Sequence, residues 1–278
     1  MHPLVNHLVQ LQELTMIRDE QRVVAETKNM EQLDASIRGM TSKLPRDMRS
    51  VFEKLHKKDR IVVAPVSRDT CAACGMKLAI SLVQAVRLAR DVKSCPNCAR
   101  VLYCPVSAPR RVGSPARRTE ARKPGISRFS SEKLMVPSLE SKDKEGVIAE
   151  LARKMESEGF IDDGEKMIEA VLRREAILST GVDHGLAFPH ARGIEGGALA
   201  FALGISRDGV KFDGHSDDLS RIIFMIAIPT AAGAFYLKLL AGLTETFMAA
   251  EARRALSAEK SAAGLWKALV KLTRKTIK

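Results

Sequence analysis

Aromatic residues are scarce in this sequence, at 4% of 278 residues. Its cores must therefore be built from Leu, Ile, Val, Ala and Met, and an extensive base-stacking platform for single-stranded nucleic acid is excluded. Long apolar runs are missing as well. The longest strongly apolar stretch, Ile222 to Pro229, is far short of the roughly 20 residues that a membrane-spanning helix needs. The opening Met-His-Pro-Leu-Val lacks the charged region, apolar core and small-residue cleavage site of a secretion signal. These absences predict a cytoplasmic chain without membrane insertion. Global disorder is excluded by a hydrophobic content of 45%. Cysteines number only five, and in a reducing compartment they point to a metal or a catalytic thiol before they point to disulfides.

Acidic charge is in short supply, and the formal net charge is +12. Such an excess suits nucleic acid, acidic lipid or an acidic protein. Its distribution argues for something plainer. Between Val106 and Lys133 there are eight Lys or Arg against two acids, so about half of the excess sits in one stretch. That stretch contains Ala108-Pro-Arg-Arg-Val-Gly-Ser-Pro115 and continues in Arg, Lys, Pro and Gly. It reads as a flexible basic tether, 106–133, in preference to a dedicated nucleic-acid patch.

The tether divides the chain. Residues 1–60 are polar and helical in pattern, with Leu4, Leu8, Leu11, Leu14 and Ile17 three or four apart. A second helix is expected from Pro45 to Lys58, with Met48, Val51, Phe52 and Leu55 on one face. A single apolar stripe needs a partner, either within the chain or in a homodimeric coiled coil, and some coiled-coil association is expected. Residues 61–105 hold short strand-like and cysteine-bearing pieces. Residues 134–278 alternate helical and strand-like stretches and have the size of one compact domain. The expected fold is therefore multidomain: a helical coiled coil and a small metal module, then an α/β domain.

Cys71-Ala-Ala-Cys74 and Cys95-Pro-Asn-Cys98 are two C-x-x-C knuckles twenty residues apart. Four thiolates at such spacing close a tetrahedral shell around Zn²⁺ with no open position, the mark of a structural site. Gly75 and Ala99, small residues, follow the knuckles where backbone amides turn toward the sulfurs. Cys104 falls outside the pattern and reads as a spare thiol. His2, His7 and His56 offer no metal-ligand spacing with the cysteines. These knuckles, with Leu44-Pro45, Phe52-Glu-Lys-Leu55 and Val63-Ala-Pro-Val66, make residues 1–105 similar to bacterial C4-type zinc-ribbon proteins with a coiled-coil hairpin. The helical part here is shorter than that family's usual hairpin. The resemblance implies an interaction module, with a nucleic-acid or protein partner.

The third segment carries a different chemistry. Arg174-Glu175-Ala-Ile-Leu-Ser-Thr180-Gly181 is followed by Val-Asp-His184-Gly185-Leu-Ala-Phe-Pro189-His190-Ala-Arg192. Gly181 and Gly185 let the chain wrap closely around a small site, and Pro189 restricts the backbone next to His190. Apolar runs at 198–205 and 222–229 read as buried strands that anchor the loop. A neutral imidazole in such a place can attack a phosphoryl donor. Arg174 and Arg192 are the local cations. His184 shares the loop, whereas His215 sits in a polar turn and reads as solvated. Trp266 lies in a late apolar stripe with Leu265 and Leu269 and is expected in the core.

The Arg-Glu-x4-Thr-Gly and Gly-x-Ala-x-Pro-His segments, Asp208-Gly-Val210, the strand ending Ala227-Ile-Pro229 and Leu237-Lys-Leu-Leu-Ala-Gly-Leu243 occur in one order. Together they make residues 134–278 resemble the enzyme IIA domain of the sugar phosphotransferase system, fructose/mannitol class. The resemblance implies a mixed sheet flanked by helices, with His190 taking a phosphoryl group from the phosphocarrier HPr. It implies Arg174 steadying the phosphoryl oxygens, with Thr180, His184, Arg192 and Tyr236 as neighbours of the phosphate site. Onward transfer would be to an enzyme IIB cysteine or into a regulatory signal. Many members of that family carry a second histidine where this chain has Tyr236, immediately before the Leu-x-x-Leu-Ala helix. The rival expectation is a non-enzymatic zinc-ribbon binding protein with a degenerate second domain.

Overall fold

The computed structural model describes residues 1–24, 30–105, 124–194, 199–212 and 218–278. The chain forms two compact units, Met1–Val106 and Ser107–Lys278. Arg110, Arg111, Arg117 and Arg118 of the expected tether lie outside the described residues, as does His215.

The first unit opens with α1 (Pro3–Val24), α2 (Met30–Ser42) and α3 (Arg46–Asp59). Pro45 stands just ahead of α3, where a missing N–H costs nothing, and Arg60 ends it in a left-handed conformation, φ 67°. A small sheet follows, with β1 (Val63–Ser67), β2 (Thr70–Cys71) and β3 (Val101–Tyr103) in the order β2-β1-β3. Helix α4 (Ile80–Leu88) comes between β2 and β3 in the chain. Much of the leucine stripe of α1 packs within the unit: Leu8 and Leu11 are buried with Ile37, Leu44, Phe52, Val62, Val63 and Val101, and Leu4 and Leu14 are partly buried against them.

Alternation along the strands gives this sheet two apolar faces. Val63 and Val101 join the helical cluster, whereas their neighbours Ala64 and Leu102 join a second cluster with Val66, Leu78, Val83, Val86, Cys71 and Cys95. The sheet is thus the wall between the helices and the cysteine module. Gln12 of α1 fastens the start of β1, its Oε1 accepting from Val62 N at 2.6 Å and Val63 N at 2.8 Å.

The second unit is built on β4 (Met135–Val136), β5 (Gly181–Val182), β6 (Leu186–Ala187), β7 (His190–Ile194), β8 (Ala200–Val210) and β9 (Ser220–Pro229). The strand order is β4-β8-β9-β6-β5, and β7 also pairs with β9. Antiparallel β8–β9 pairing beside parallel β6–β9 and β7–β9 pairing makes the sheet mixed. Flanking helices are α5 (Lys144–Ser157), α6 (Gly164–Glu175), α7 (Gly233–Met248), α8 (Ala250–Ser257) and α9 (Ala262–Thr273). Their starts are legible: Asp143, Asp163 and Ser261 each accept a hydrogen bond from a backbone N–H three residues on.

Some expectations need correction. Residues 125–133, assigned by composition to the tether, are folded into the second unit through two 3₁₀ turns, Gly125–Arg128 and Glu132–Leu134, the second of which ends on the first residue of the expected domain. Ile126 and Leu134 are buried, and the Phe129 carbonyl accepts from Phe201 N of β8 at 2.9 Å. Two apolar residues outweigh the basic composition around them. Trp266 is half-buried, while Leu265 and Leu269 fill the core. Helix α7 begins at Gly233, so Tyr236 lies in its first turn rather than before it.

Candidate phosphoryl-acceptor site and cysteine cluster

The strand that carries His190 is a continuation of β6. Leu186 and Ala187 pair with Ile222 and Ile223 of β9, and His190 and Ala191 pair with Ile226 and Ala227 further along the same strand. Between them, Pro189 has no N–H to give to the ladder, but its carbonyl accepts from Ile226 N at 2.9 Å. The Phe188 ring stacks on Phe224 at 5.5 Å between centroids, and Phe224 also meets Phe201 and Phe247. This packed aromatic base fixes the backbone of 188–190.

That backbone controls the imidazole. His190 Nδ1 lies 2.9 Å from the Phe188 carbonyl oxygen. A carbonyl only accepts, so Nδ1 carries the proton and the lone pair resides on Nε2. The Tyr236 hydroxyl is 3.3 Å from the same Nδ1, and the two rings are 5.2 Å apart and tilted by 41°. Arg192, two residues along β7, places its guanidinium carbon 4.9 Å from the centre of the Tyr236 ring. His190 is 2% and Tyr236 1% exposed.

The Arg-Glu-x4-Thr-Gly segment has a structural explanation. Glu175 ends α6, and its carboxylate collects the chain as it turns toward β5. It accepts from Thr180 N at 3.0 Å, from the Thr180 hydroxyl at 2.6 Å and from the Ser179 hydroxyl at 3.1 Å. The Thr180 carbonyl in turn accepts from Phe188 N at 3.0 Å, next to the carbonyl that holds His190. Thr180 therefore supports the site through Glu175 and Phe188. Arg174, buried beside Glu175, donates from Nη1 to the Leu178 carbonyl at 2.8 Å. Replacing Glu175 by Ala strips the buried Thr180 donors of their acceptor and is expected to cost about 1–3 kcal/mol. Trp266 fluorescence during denaturation would report the loss, and Glu175→Gln, which keeps an acceptor oxygen, should lose less.

His184 is not at the site. It occupies the turn joining β5 and β6, exposed, with φ 69°. His190 pairs four residues further along β9 than Leu186 does, a separation of about 13 Å at about 3.3 Å per residue. His184 lies beyond Leu186 on the opposite side. Nearness in sequence along a hairpin misplaced it. The Phe188 carbonyl, which meets His190, and Glu175, which holds Ser179 and Thr180, are the groups of the candidate site that sequence reasoning missed. Only the fixed spacing from Glu175 to Thr180 signalled the latter.

In the first unit the two knuckles have matching geometry. Gly75 N and Ala99 N donate back to the Cys71 and Cys95 carbonyls at 2.8 and 2.9 Å, and both residues have positive φ, 74° and 61°. The Sγ atoms of Cys71, Cys74, Cys95 and Cys98 all lie within 4.8 Å of one another. The Cys71–Cys98 and Cys74–Cys95 separations are 3.8 and 3.7 Å. A tetrahedron with Zn–S bonds of about 2.3 Å has edges of about 3.8 Å, so the quartet fits that ion. Burial pushes the Cys71 and Cys98 thiols up. Burial also opposes ionisation of Cys74, but hydrogen bonds from the Asn97 side chain and the Met76 backbone bring it down to about 6. Four thiolates at these distances require a cation among them. Cys104 lies outside the quartet, at the edge of the ribbon's core.

Comparison with known proteins matches this architecture. The family described as "Phosphoenolpyruvate-dependent sugar phosphotransferase system, EIIA 2" covers residues 128–271. The chain belongs to the EIIA 2 family. A C4-type zinc ribbon domain matches residues 70–102. The PTS fructose-specific EIIA component of Haloferax volcanii is 34% identical over 115 residues, 41% of this chain and 73% of that protein. The PTS fructose-specific EIIABC component of Bacillus subtilis is 35% identical over 119 residues, 43% of this chain. The match spans about one fifth of that larger protein's length, 19%. The nitrogen regulatory protein IIA-Ntr of Neisseria meningitidis aligns with 52% of this chain and 98% of its own, at 23% identity and a TM-score of 0.47. The EIIA 2 domain of this chain is thus joined to a second, cysteine-bearing unit.

Proposed function

We propose that the EIIA 2 domain is a phosphohistidine carrier in which Nε2 of His190 accepts a phosphoryl group from HPr. The observation that carries this reading is the Nδ1–H contact to the Phe188 carbonyl at 2.9 Å, which puts the lone pair on Nε2. In the step, the Nε2 lone pair attacks phosphorus as the bond to the donor nitrogen breaks. The donor imidazole leaves with that electron pair. His190 becomes a phosphoimidazolium that keeps its Nδ1 proton, and the Phe188 carbonyl stabilises the positive charge that develops on the ring. Arg174 serves as a cation for the phosphoryl oxygens. Because His190 is 2% exposed, docking of the donor has to uncover the Nε2 edge.

The onward acceptor is an enzyme IIB cysteine or a protein regulated by the phosphorylation state. HPr and that acceptor would be separate chains. The cysteine quartet holds a structural Zn²⁺, and the helical and ribbon unit engages a partner of its own. No helix among the described residues is long and apolar enough to cross a membrane, in keeping with action in the cytoplasm. Incubation with phosphoenolpyruvate, enzyme I and HPr tests the carrier reading. A mass gain of one acid-labile phosphoryl group is expected; no gain in the folded protein with cognate donors would overturn it, and the zinc-ribbon binding module would then be the leading account.

A further inference from the structure

We infer that Arg192 is a catalytic cation of the transfer step and that the face of Tyr236 holds it in place. The inference rests on His190 being the phosphoryl acceptor. His190 and Arg192 are two residues apart on β7, so their side chains leave the same face of the strand. Both then meet one ring. The imidazole is 5.2 Å from the Tyr236 centroid, and the Arg192 guanidinium carbon is 4.9 Å from it. Tyr236 is 1% exposed, so this cation–π contact is made with a desolvated ring, where such contacts are strongest. The guanidinium also lies beside the start of α7: a Cβ built on Gly233 would meet Arg192 Nη1 at an ordinary contact distance, 3.9 Å.

The chemistry needs a cation here. A transferring phosphoryl group spreads negative charge over three oxygens, and stabilising that charge is most of what a protein does for the reaction. Tyrosine has no cationic form and cannot supply it. Guanidinium is charged at every working pH and binds oxygens along its edge, in the plane of its N–H bonds. Stacking on an aromatic ring engages the flat face instead. The two contacts are therefore compatible, and an arginine parked on Tyr236 meets the phosphoryl oxygens without first paying to be ordered. Tyr236 is then a positioning residue with two contacts, its ring to Arg192 and its hydroxyl to the proton on His190 Nδ1.

The test uses the full-length chain, with phosphorylated HPr as the probe. Initial rates of phosphoryl uptake are measured for wild type, Arg192→Gln, Arg192→Lys, Tyr236→Phe, Tyr236→Leu and the Gln/Leu double variant. Arg192→Gln should slow uptake roughly 100-fold, with melting unchanged. Arg192→Lys, which keeps the charge but not the planar fork, should recover part of the rate. Tyr236→Phe keeps the ring and should stay within a few-fold of wild type. Tyr236→Leu should fall about as far as Arg192→Gln, and the double variant should fall no further than either single change. Uptake by Arg192→Gln within twofold of wild type overturns the inference and leaves the carrier reading standing. So do losses that multiply in the double variant, because Tyr236 would then act without Arg192. Absence of uptake by wild type overturns both.

Discussion

A His190→Ala variant is expected to gain no acid-labile phosphoryl group under conditions that fully load the wild type. In the proposed step the imidazole supplies the only atom that forms a bond to phosphorus, so removing it leaves no slower version of the same route. The fold should survive. The Phe188 carbonyl loses one partner, costing about 1–3 kcal/mol against the roughly 5–15 kcal/mol that separates folded from unfolded domains. The remaining contacts of β7 to β9 are backbone pairs that Ala sustains. Trp266, the one tryptophan of the chain, reports on the second unit alone and should show a transition only slightly lowered. His184→Ala is the matched control, because that residue is exposed at the far end of the β5–β6 hairpin. It should load as completely as wild type. A phosphoryl group retained by His190→Ala, or lost by His184→Ala, would move the acceptor elsewhere.

Features that depend on short spacings were legible in the sequence, and features that depend on backbone groups or on folding back were not. The cysteine quartet assembles from two C-x-x-C pairs because a knuckle needs only a few residues to bring two sulfurs together. Strands β8 and β9 announced themselves as apolar runs because β9 is buried almost along its full length and β8 throughout Ala200–Ser206. His190 stood out through the proline and glycines around it, but what holds the proton on Nδ1 and leaves the lone pair on Nε2 is the Phe188 carbonyl, a group that every residue has. No residue type encodes that choice. Tyr236 is 46 positions away from His190 and reaches it because α7 starts a single 3₁₀ turn, Thr230–Ala232, after β9 ends. Residue chemistry could not place it against Nδ1. The basic stretch before Leu134 misled in the other direction, since counting charges hid the buried Ile126, which with Leu134 ties residues 125–133 to the domain.

Removing the metal is expected to unfold the first unit as a whole while leaving the phosphoryl domain untouched. The ribbon's own core is small, and two of its eight buried members are Cys71 and Cys95 of the quartet. Binding of structural zinc by four thiolates contributes about 10–16 kcal/mol at neutral pH, more than so few apolar residues can replace. The loss should not stop at the ribbon. Strands β1 and β3 present Ala64 and Leu102 to the metal module and Val63 and Val101 to the helices, so disordering that sheet strips α1–α3 of one wall of their core. The Gln12 bridge to Val62 and Val63 goes with it. Thiol labelling reads this out directly. With metal bound, of the five cysteines only Cys104 lies outside the quartet and should react; after chelation all five should react. Helical circular dichroism should fall in the same transition, and Cys98→Ser should behave like the chelated protein. Acidification should act in the same sense, because protonated thiols release the metal as pH falls. Through all of this, Trp266 melting and phosphoryl loading of His190 should remain at wild-type values. Reactivity of five thiols with the helical signal intact would instead make the ribbon a detachable appendage, and the shared sheet would not couple the two cores.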